Sequence, residues 1–445
     1  MLLRSFLFPL NIKTFTSSRN IQNQAVYFMG ITKHWAIFLS NSANKQVFIQ
    51  QLLSQKAKDI FAELNSLEGM LFSSLTVNEY IDEENRHGFT VVTKHLNRSL
   101  KSMSSGEQKK ALLNYLVSQK PDYLILDNPF DNLDVEAQAS LLAMLCEISS
   151  HTSLIQLVNR ERDLLPFIKT VVSIEQNNQL VLHEDLPTFL EAYRNTQTYS
   201  FSGEIPPPIK HYDLANPELI KFNKVDVSYG EKHILKDITW TIHKNEFWHL
   251  IGPNGSGKTT MLSMITGDNP KGYGQELTLF GRRKGTGETV WSIKNNIGYV
   301  TPAMTDLFTA SHTLEQMLMS GFYDSIGLYN KPSDLQIKLA KQWLTLIEMD
   351  KLKKKPFFML SAGQQRMALV ARAMVKHPPL LILDEAIAGL DDHNTSLVIS
   401  LINKFANESE STILYVSHRT EEGLFPRNIF QLFPSEEGST GVVMK

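Results

Sequence analysis

At 445 residues the chain is long enough for two or three hydrophobic cores, and 42% hydrophobic with 20% charged residues is the balance of an ordinary globular protein. A formal net charge of -2 removes any bulk electrostatic case for a nucleic-acid or membrane-surface partner. No apolar run approaches the roughly 18 residues needed to cross a bilayer, so a membrane span would have to come from another chain.

The start, "MLLRSFLFPLNIKTFTSSRN", has the acid-poor, Arg- and Ser-containing look of a transit segment, and no acidic residue occurs before Asp59. The next stretch argues against cleavage. "HWAIFLSNSANKQVFIQQL" (34 to 52) aligns with "FWHLIGPNGSGKTTMLSMI" (247 to 265), pairing Trp35 with Trp248 and Lys45 with Lys258. Removing a leader would then remove strands that the fold needs. Further on, "SMSSGEQKKALL" (102 to 113) and "LILDNPFDNLD" (124 to 134) return as "MLSAGQQRMALV" (359 to 370) and "LILDEAIAGLD" (381 to 391). Gly106 to Asp127 and Gly363 to Asp384 both span 21 positions, and "SLIQLVNR" (153 to 160) is answered by "TILYVSHR" (412 to 419). Two homologous halves are the economical reading. The lone cysteine, Cys146, lies in the first of them. It allows no internal disulfide, fits a reducing compartment, and is expected as a small buried apolar side chain.

Between the halves, "YSFSGEIPPPIKHYDLANPE" (199 to 218) carries three consecutive prolines that no helix or central strand accepts. It reads as a short, semi-rigid linker, dividing the chain into residues 1–198, 199–218 and 219–445. In both halves, apolar β-rich runs alternate with helical patterns, the mark of an α/β domain with a mostly parallel sheet.

In the second half, "GPNGSGKT" (252 to 259) fits G-x-x-x-x-G-K-[ST] between an apolar strand and a helical stretch, the context this motif requires. Gly252, Asn254, Gly255, Ser256 and Gly257 would turn backbone N–H groups toward phosphate oxygens, with Thr260 in the first helical turn. Lys258 would reach the β- and γ-phosphates of ATP, and Thr259 would stand on Mg2+. "LLILDE" (380 to 385) is a buried strand ending in two acids. Asp384 is placed for Mg2+, and Glu385 for the water that attacks the γ-phosphate.

The Ser-x-Gly-[Gln/Glu] turns of "LSAGQQ" (360 to 365) and "MSSGEQ" (103 to 108), each opening a helix ahead of an apolar-Asp strand, resemble the signature of ABC-type ATPases. The resemblance covers nearly the whole chain in two copies. It implies two P-loop NTPase domains in tandem, each with a mostly parallel sheet and a helical subdomain, closing head-to-tail so that ATP on one phosphate loop meets the other domain's signature. By the same resemblance Tyr229 in "VDVSYGEKHIL" stacks on adenine, and His418 in "YVSHR" contacts the γ-phosphate and the attacking water.

The first half departs from this pattern. Its phosphate loop reads "LSNSANKQ" (39 to 46), without glycine and with Gln46 in place of the metal-binding Thr. Asn128 replaces the base and Asn159 the switch histidine, while Ser104 and Gly106 of its signature remain. One composite site is therefore expected to be complete: Lys258, Thr259, Asp384, Glu385 and His418, closed by Ser104 and Gly106. The interval from Lys45 to Asp127 is 82 residues against 126 from Lys258 to Asp384, so the first helical subdomain is shortened. In "IGYVTPAMTD" (297 to 306), Pro302 stands where the family has a glutamine that touches Mg2+ and senses a partner.

With "LMSGFYDSIGLYNKPSD" (318 to 334), this glutamine-free loop is similar to the ModF-type proteins, soluble chains with two fused ABC ATPase domains. The resemblance implies a cytoplasmic or inner-face peripheral ATPase with one competent site, energising transport through a membrane permease. A stress-response or mechanochemical ATPase without a permease and a nucleotide-gated regulatory module are the alternatives.

Overall fold

The computed structural model describes residues 32–39, 44–88, 91–94, 98–131, 133–174, 179–197, 199–308 and 311–444. The acid-poor start and residues 40–43 of the first phosphate-loop segment lie outside them.

The first half contains β1 (Trp35–Leu39), α1 (Lys45–Leu53), β2 (Gly69–Phe72), α2 (Ser74–His87), α3 (Ser105–Ser118), β3 (Tyr123–Asp127), α4 (Val135–Ile148), β4 (Ser153–Val158), β5 (Thr170–Ile174), β6 (Leu180–His183) and α5 (Leu186–Gln197). The second opens with β7 (Glu218–Tyr229), β8 (Lys232–His243), β9 (Phe247–Ile251) and α6 (Lys258–Ile265). It continues through β10 (Leu277–Leu279), β11 (Arg282–Arg283), α7 (Val290–Lys294), β12 (Ile297–Val300), α8 (Leu314–Ser320), α9 (Asp334–Leu346) and α10 (Ala362–Met374). It closes with β13 (Leu380–Asp384), α11 (Asp392–Glu408), β14 (Thr412–Ser417), β15 (Asn428–Phe433) and β16 (Thr440–Met444).

The repeat in sequence is a repeat in topology. One sheet runs β2-β3-β4-β1-β5-β6 and the other β12-β13-β14-β9-β15-β16, each parallel except for its last pair. Even the register is shared, since Trp35 pairs with Ile155 and Thr170 where Trp248 pairs with Leu414 and Asn428. Near-continuous apolar strands such as β3 and β13 need cover on both faces, and each sheet lies between two buried clusters.

The halves differ in what surrounds these sheets. Among the described residues, the second adds a four-stranded antiparallel sheet, β11-β10-β7-β8, and places α8 and α9 between β12 and α10. In the first, among the described residues, α2 is the one α-helix in the corresponding interval from β2 to α3, which is the expected shortening.

One sequence expectation changes. Cys146 is exposed, not buried: on α4 the core positions are Leu141, Leu145 and Ile148, and Cys146 sits one step round from that face. The segment between the halves packs on the second. Phe201 and Ile205 are buried in the helical-side core of the second half, and His377 Nε2 lies 2.7 Å from the Pro206 carbonyl oxygen.

Candidate functional site

Strand β9 delivers the chain to the phosphate loop, and α6 begins directly behind it. At the start of α6, Gly257 has φ +93°, and a Cβ there would lie 2.6 Å from Leu235 on β8, so no other residue fits without displacement. No side chain caps this helix, which leaves the N–H groups of its first turn directed at the loop. Lys258 Nζ folds back to donate to the carbonyls of Gly252 and Pro253 at 2.6 and 2.9 Å. Burial pulls the Lys258 ammonium below its usual range, opposed by the charges of Glu385, Asp384 and Asp134. Ser256 Oγ is buried without a hydrogen-bond partner among the described residues, an orphan that a ligand in the loop would satisfy.

Asp384 closes β13. Burial pushes its carboxyl up to about 6, helped by the Glu385 charge and opposed by Lys258 and by Tyr299, whose hydroxyl donates to Asp384 Oδ2 at 3.2 Å. Glu385 follows in the left-handed region at φ +51°, a conformation that costs a non-glycine residue energy and clusters at functional sites. Its Oε1 lies 3.1 Å from His418 Nδ1, beyond the end of β14. Arg366 on α10 donates to the carbonyls of Glu385 and Ala386 at 3.1 and 2.9 Å and holds the turn in place.

Lys258, Asp384, Glu385 and His418 are thus brought together as the sequence implied. Asn254, Gly255, Thr259 and Thr260 lie on the same loop and helix start, with Asn254 and Thr259 exposed. Tyr229, at the end of β7, is half-exposed, and its hydroxyl accepts from Asn269 Nδ2 at 2.9 Å. Ser104 caps α3 by accepting from the Glu107 N–H, and Gly106 lies in that first turn. The first-half group whose charge reaches Lys258 is Asp134, the N-cap of α4. It is the last residue of "LILDNPFDNLD", and its identity with Asp391 in the repeat was the available signal.

The equivalent place in the first half is organised differently. Lys45 is ion-paired with Asp127 at 2.9 Å, and Asn44, in the position of Gly257, caps α1 by accepting from the Val47 N–H. A cavity of about 860 Å³ lies here between the halves, lined by Lys45 and Asn159 from the first and by Ser361 and Gly363 from the second. Tyr193, Tyr199 and Phe201 also face it. A phosphate-loop lysine of one half therefore faces the signature of the other, the head-to-tail relation.

A P-loop at a helix start, paired acids at the end of β13, one strand removed from β9, and a mostly parallel sheet present in two copies define an ATP-binding P-loop protein with tandem domains. Residues 235–388 match the ABC transporter family model. The ABC transporter ATP-binding protein ModF of Escherichia coli is 39% identical over 341 residues, 74% of this chain and 69% of that protein. An ABC transporter ATP-binding protein of Schizosaccharomyces pombe is 31% identical over 330 residues, 73% of this chain and 66% of its own length. In fold, the archaeal ribosome recycling factor in complex with the ribosomal stalk protein superposes with a TM-score of 0.62 at 14% identity, covering 93% of this chain and 86% of that one. The chain belongs to the ABC transporter ATP-binding proteins, in the tandem-domain, ModF-like branch.

Proposed function

We propose that the protein hydrolyses ATP at a single composite site, the phosphate loop of the second half closed by the signature of the first, and uses the cycle to energise transport. The observation that carries this reading is the contrast at the two strand ends. Glu385 touches His418 beside a lysine held on its own loop, whereas Asn128 and Asn159 replace both residues beside a lysine neutralised by Asp127. The head-to-tail cavity on the other side and the reach of Asp134 to Lys258 support Ser104 and Gly106 as the closing elements.

In this mechanism the open N–H groups of α6 and Lys258 hold the phosphates. Glu385 orients and deprotonates the attacking water, and His418, in contact with that carboxylate, fixes its direction. The donor set suits magnesium shared with a nucleotide: Thr259 would supply a hydroxyl and Asp384 one carboxylate, while among the described residues no cluster of three ligating side chains forms an all-protein cage. When bound, the ion would neutralise charge on the phosphate oxygens. Tyr299 fixes the Asp384 carboxylate through its hydrogen bond to Oδ2.

The test is steady-state turnover of the full chain. Glu385→Gln should lower kcat on the order of 10²-fold or more, while Asn128→Ala leaves it nearly unchanged. Comparable losses at both positions would sink the one-site reading, and tight ATP binding without turnover would favour a regulatory module.

For transport, support comes from the names of the relatives, and among the described residues no helix is long and apolar enough to cross a membrane, which leaves the permease as a separate chain. Pro302 favours a second reading, an ATPase working without a permease: it opens a 3-10 turn where the family has a glutamine, and proline offers neither an amide side chain nor an N–H. Copurification with a multi-span membrane protein that stimulates turnover decides between them.

A further inference from the structure

On the side of the Lys45 cavity the halves are joined by direct protein contacts. Arg160, just beyond β4, is 2% exposed. Its Nε donates to the Leu390 carbonyl at 2.6 Å and its Nη2 to the Ile387 carbonyl at 2.5 Å. On either side of it, the Asp392 N–H donates to the Asn159 carbonyl at 3.0 Å and the Glu161 N–H to Asp392 Oδ2 at 2.7 Å. Arg162 pairs with Glu421 at 2.6 Å. The turn 159–162 of the first half is thus fastened to 387–392 of the second, the segment directly downstream of Glu385.

The chemistry suits permanence. A guanidinium stays charged at any physiological pH and offers donors in a fixed fork, and bonds from a charged donor to carbonyls are stronger than neutral ones. Burial, with the charges of Arg162 and Arg419, pulls the Arg160 guanidinium below its usual range, and Glu421 and Asp163 oppose this. The counterpart of Arg160 in the repeat is Arg419, beside His418. Among the described residues its guanidinium partner is Glu421 of its own half, at 3.4 Å. One arginine crosses the interface and its twin does not.

We propose that Arg160 is a latch that needs no nucleotide: it keeps the silent side docked while the complete side opens and closes, and it positions the loop that carries Glu385. That loop is gripped at Glu385 and Ala386 by Arg366 of its own half and at Ile387 and Leu390 by Arg160 of the other. The positioning role rests on the reading of Glu385 as base; the latch does not.

The experiment measures the distance between nitroxide labels on the native Cys146, exposed in the first half, and on Asn407→Cys, exposed on α11. It uses the full chain without nucleotide. Wild type should give one narrow distribution. Arg160→Met, which keeps the bulk and removes every donor, should broaden it and lower kcat about tenfold, the size expected for a lost charge-assisted hydrogen bond, with KM for ATP unchanged. Arg160→Lys should fall between the two, and it serves as the decisive variant if Arg160→Met does not fold. A broad distribution in wild type overturns the latch, as does one that neither variant alters. A fall in KM-limited rate alone, with kcat intact, overturns the positioning role. If Glu385→Gln retains full turnover, the base assignment fails, and the distance measurement still decides the latch.

Discussion

The ends of β13 and β3 are the same backbone put to different uses. Asp384-Glu385 and Asp127-Asn128 share the left-handed turn, with φ +51° at Glu385 and +48° at Asn128. Asparagine tolerates that region better than glutamate does, so the first half relieves a strain that the second keeps. Around the turn the difference widens. Leu71 stands in the register position of Tyr299, so nothing from that strand donates to Asp127, and Lys45 pairs with it instead. Asn44 satisfies the helix start that Gly257 leaves open. On the one-site proposal, the silence of the first half is more than a missing base. Groups that a phosphate or a metal would satisfy in one half are satisfied by protein in the other.

The contrast is broken most strongly at the two lysines. Lys258→Met should reduce turnover by on the order of 10²-fold, the scale of removing one preorganised donor to transition-state charge, whereas Lys45→Met should leave it close to wild type. Equal losses in a steady-state assay would erase the distinction between the halves.

A second contrast concerns pH. His249 on β9 is buried beside Ser417, Nε2 to Oγ 2.8 Å, at positions that Ala36 and Val158 occupy in the first half. Burial pulls this imidazole down to about 4, with Glu421 and Glu385 opposing. A base with a depressed folded-state pKa is protonated first in the unfolded chain. Its contribution is therefore full above about pH 6.5 and is lost as pH falls toward 4, on the order of 3 kcal/mol in all. Urea denaturation at pH 7.5 and 5 should show the second half losing stability. His249→Gln should flatten that dependence, and an unchanged slope would remove His249 as its cause.

The smallest effect belongs to Asn44. Asn44→Ala removes the α1 cap and should cost about 1 kcal/mol of first-half stability without touching turnover. A drop in kcat would mean that the first half takes part in the chemistry directly.

The parts of this asymmetry that were legible in the sequence are those written in local order. The phosphate loop between β9 and α6, the 21-residue register from signature to strand end, the shortened interval and the substitutions at Asn128 and Asn159 all follow from position along the chain. The parts that were not legible depend on which strand lies beside which. Tyr299 acts on Asp384 only because β12 pairs with β13, Lys45 meets Asp127 across 82 residues, and Arg160 finds its carbonyls more than 220 residues away. The docking of Phe201 and Ile205 is of the same kind. Cys146 differs, since its step off the Leu141, Leu145 and Ile148 face could have been read from the helical period.

The central claim, one competent site per chain, is tested most directly by counting nucleotides. Titration of ATP with Mg2+ into the full-length Glu385→Gln protein, followed calorimetrically, should saturate at one ATP per chain. Saturation at two would contradict the account, because it would require the Lys45–Asp127 pair to open and the first half to hold phosphate after all.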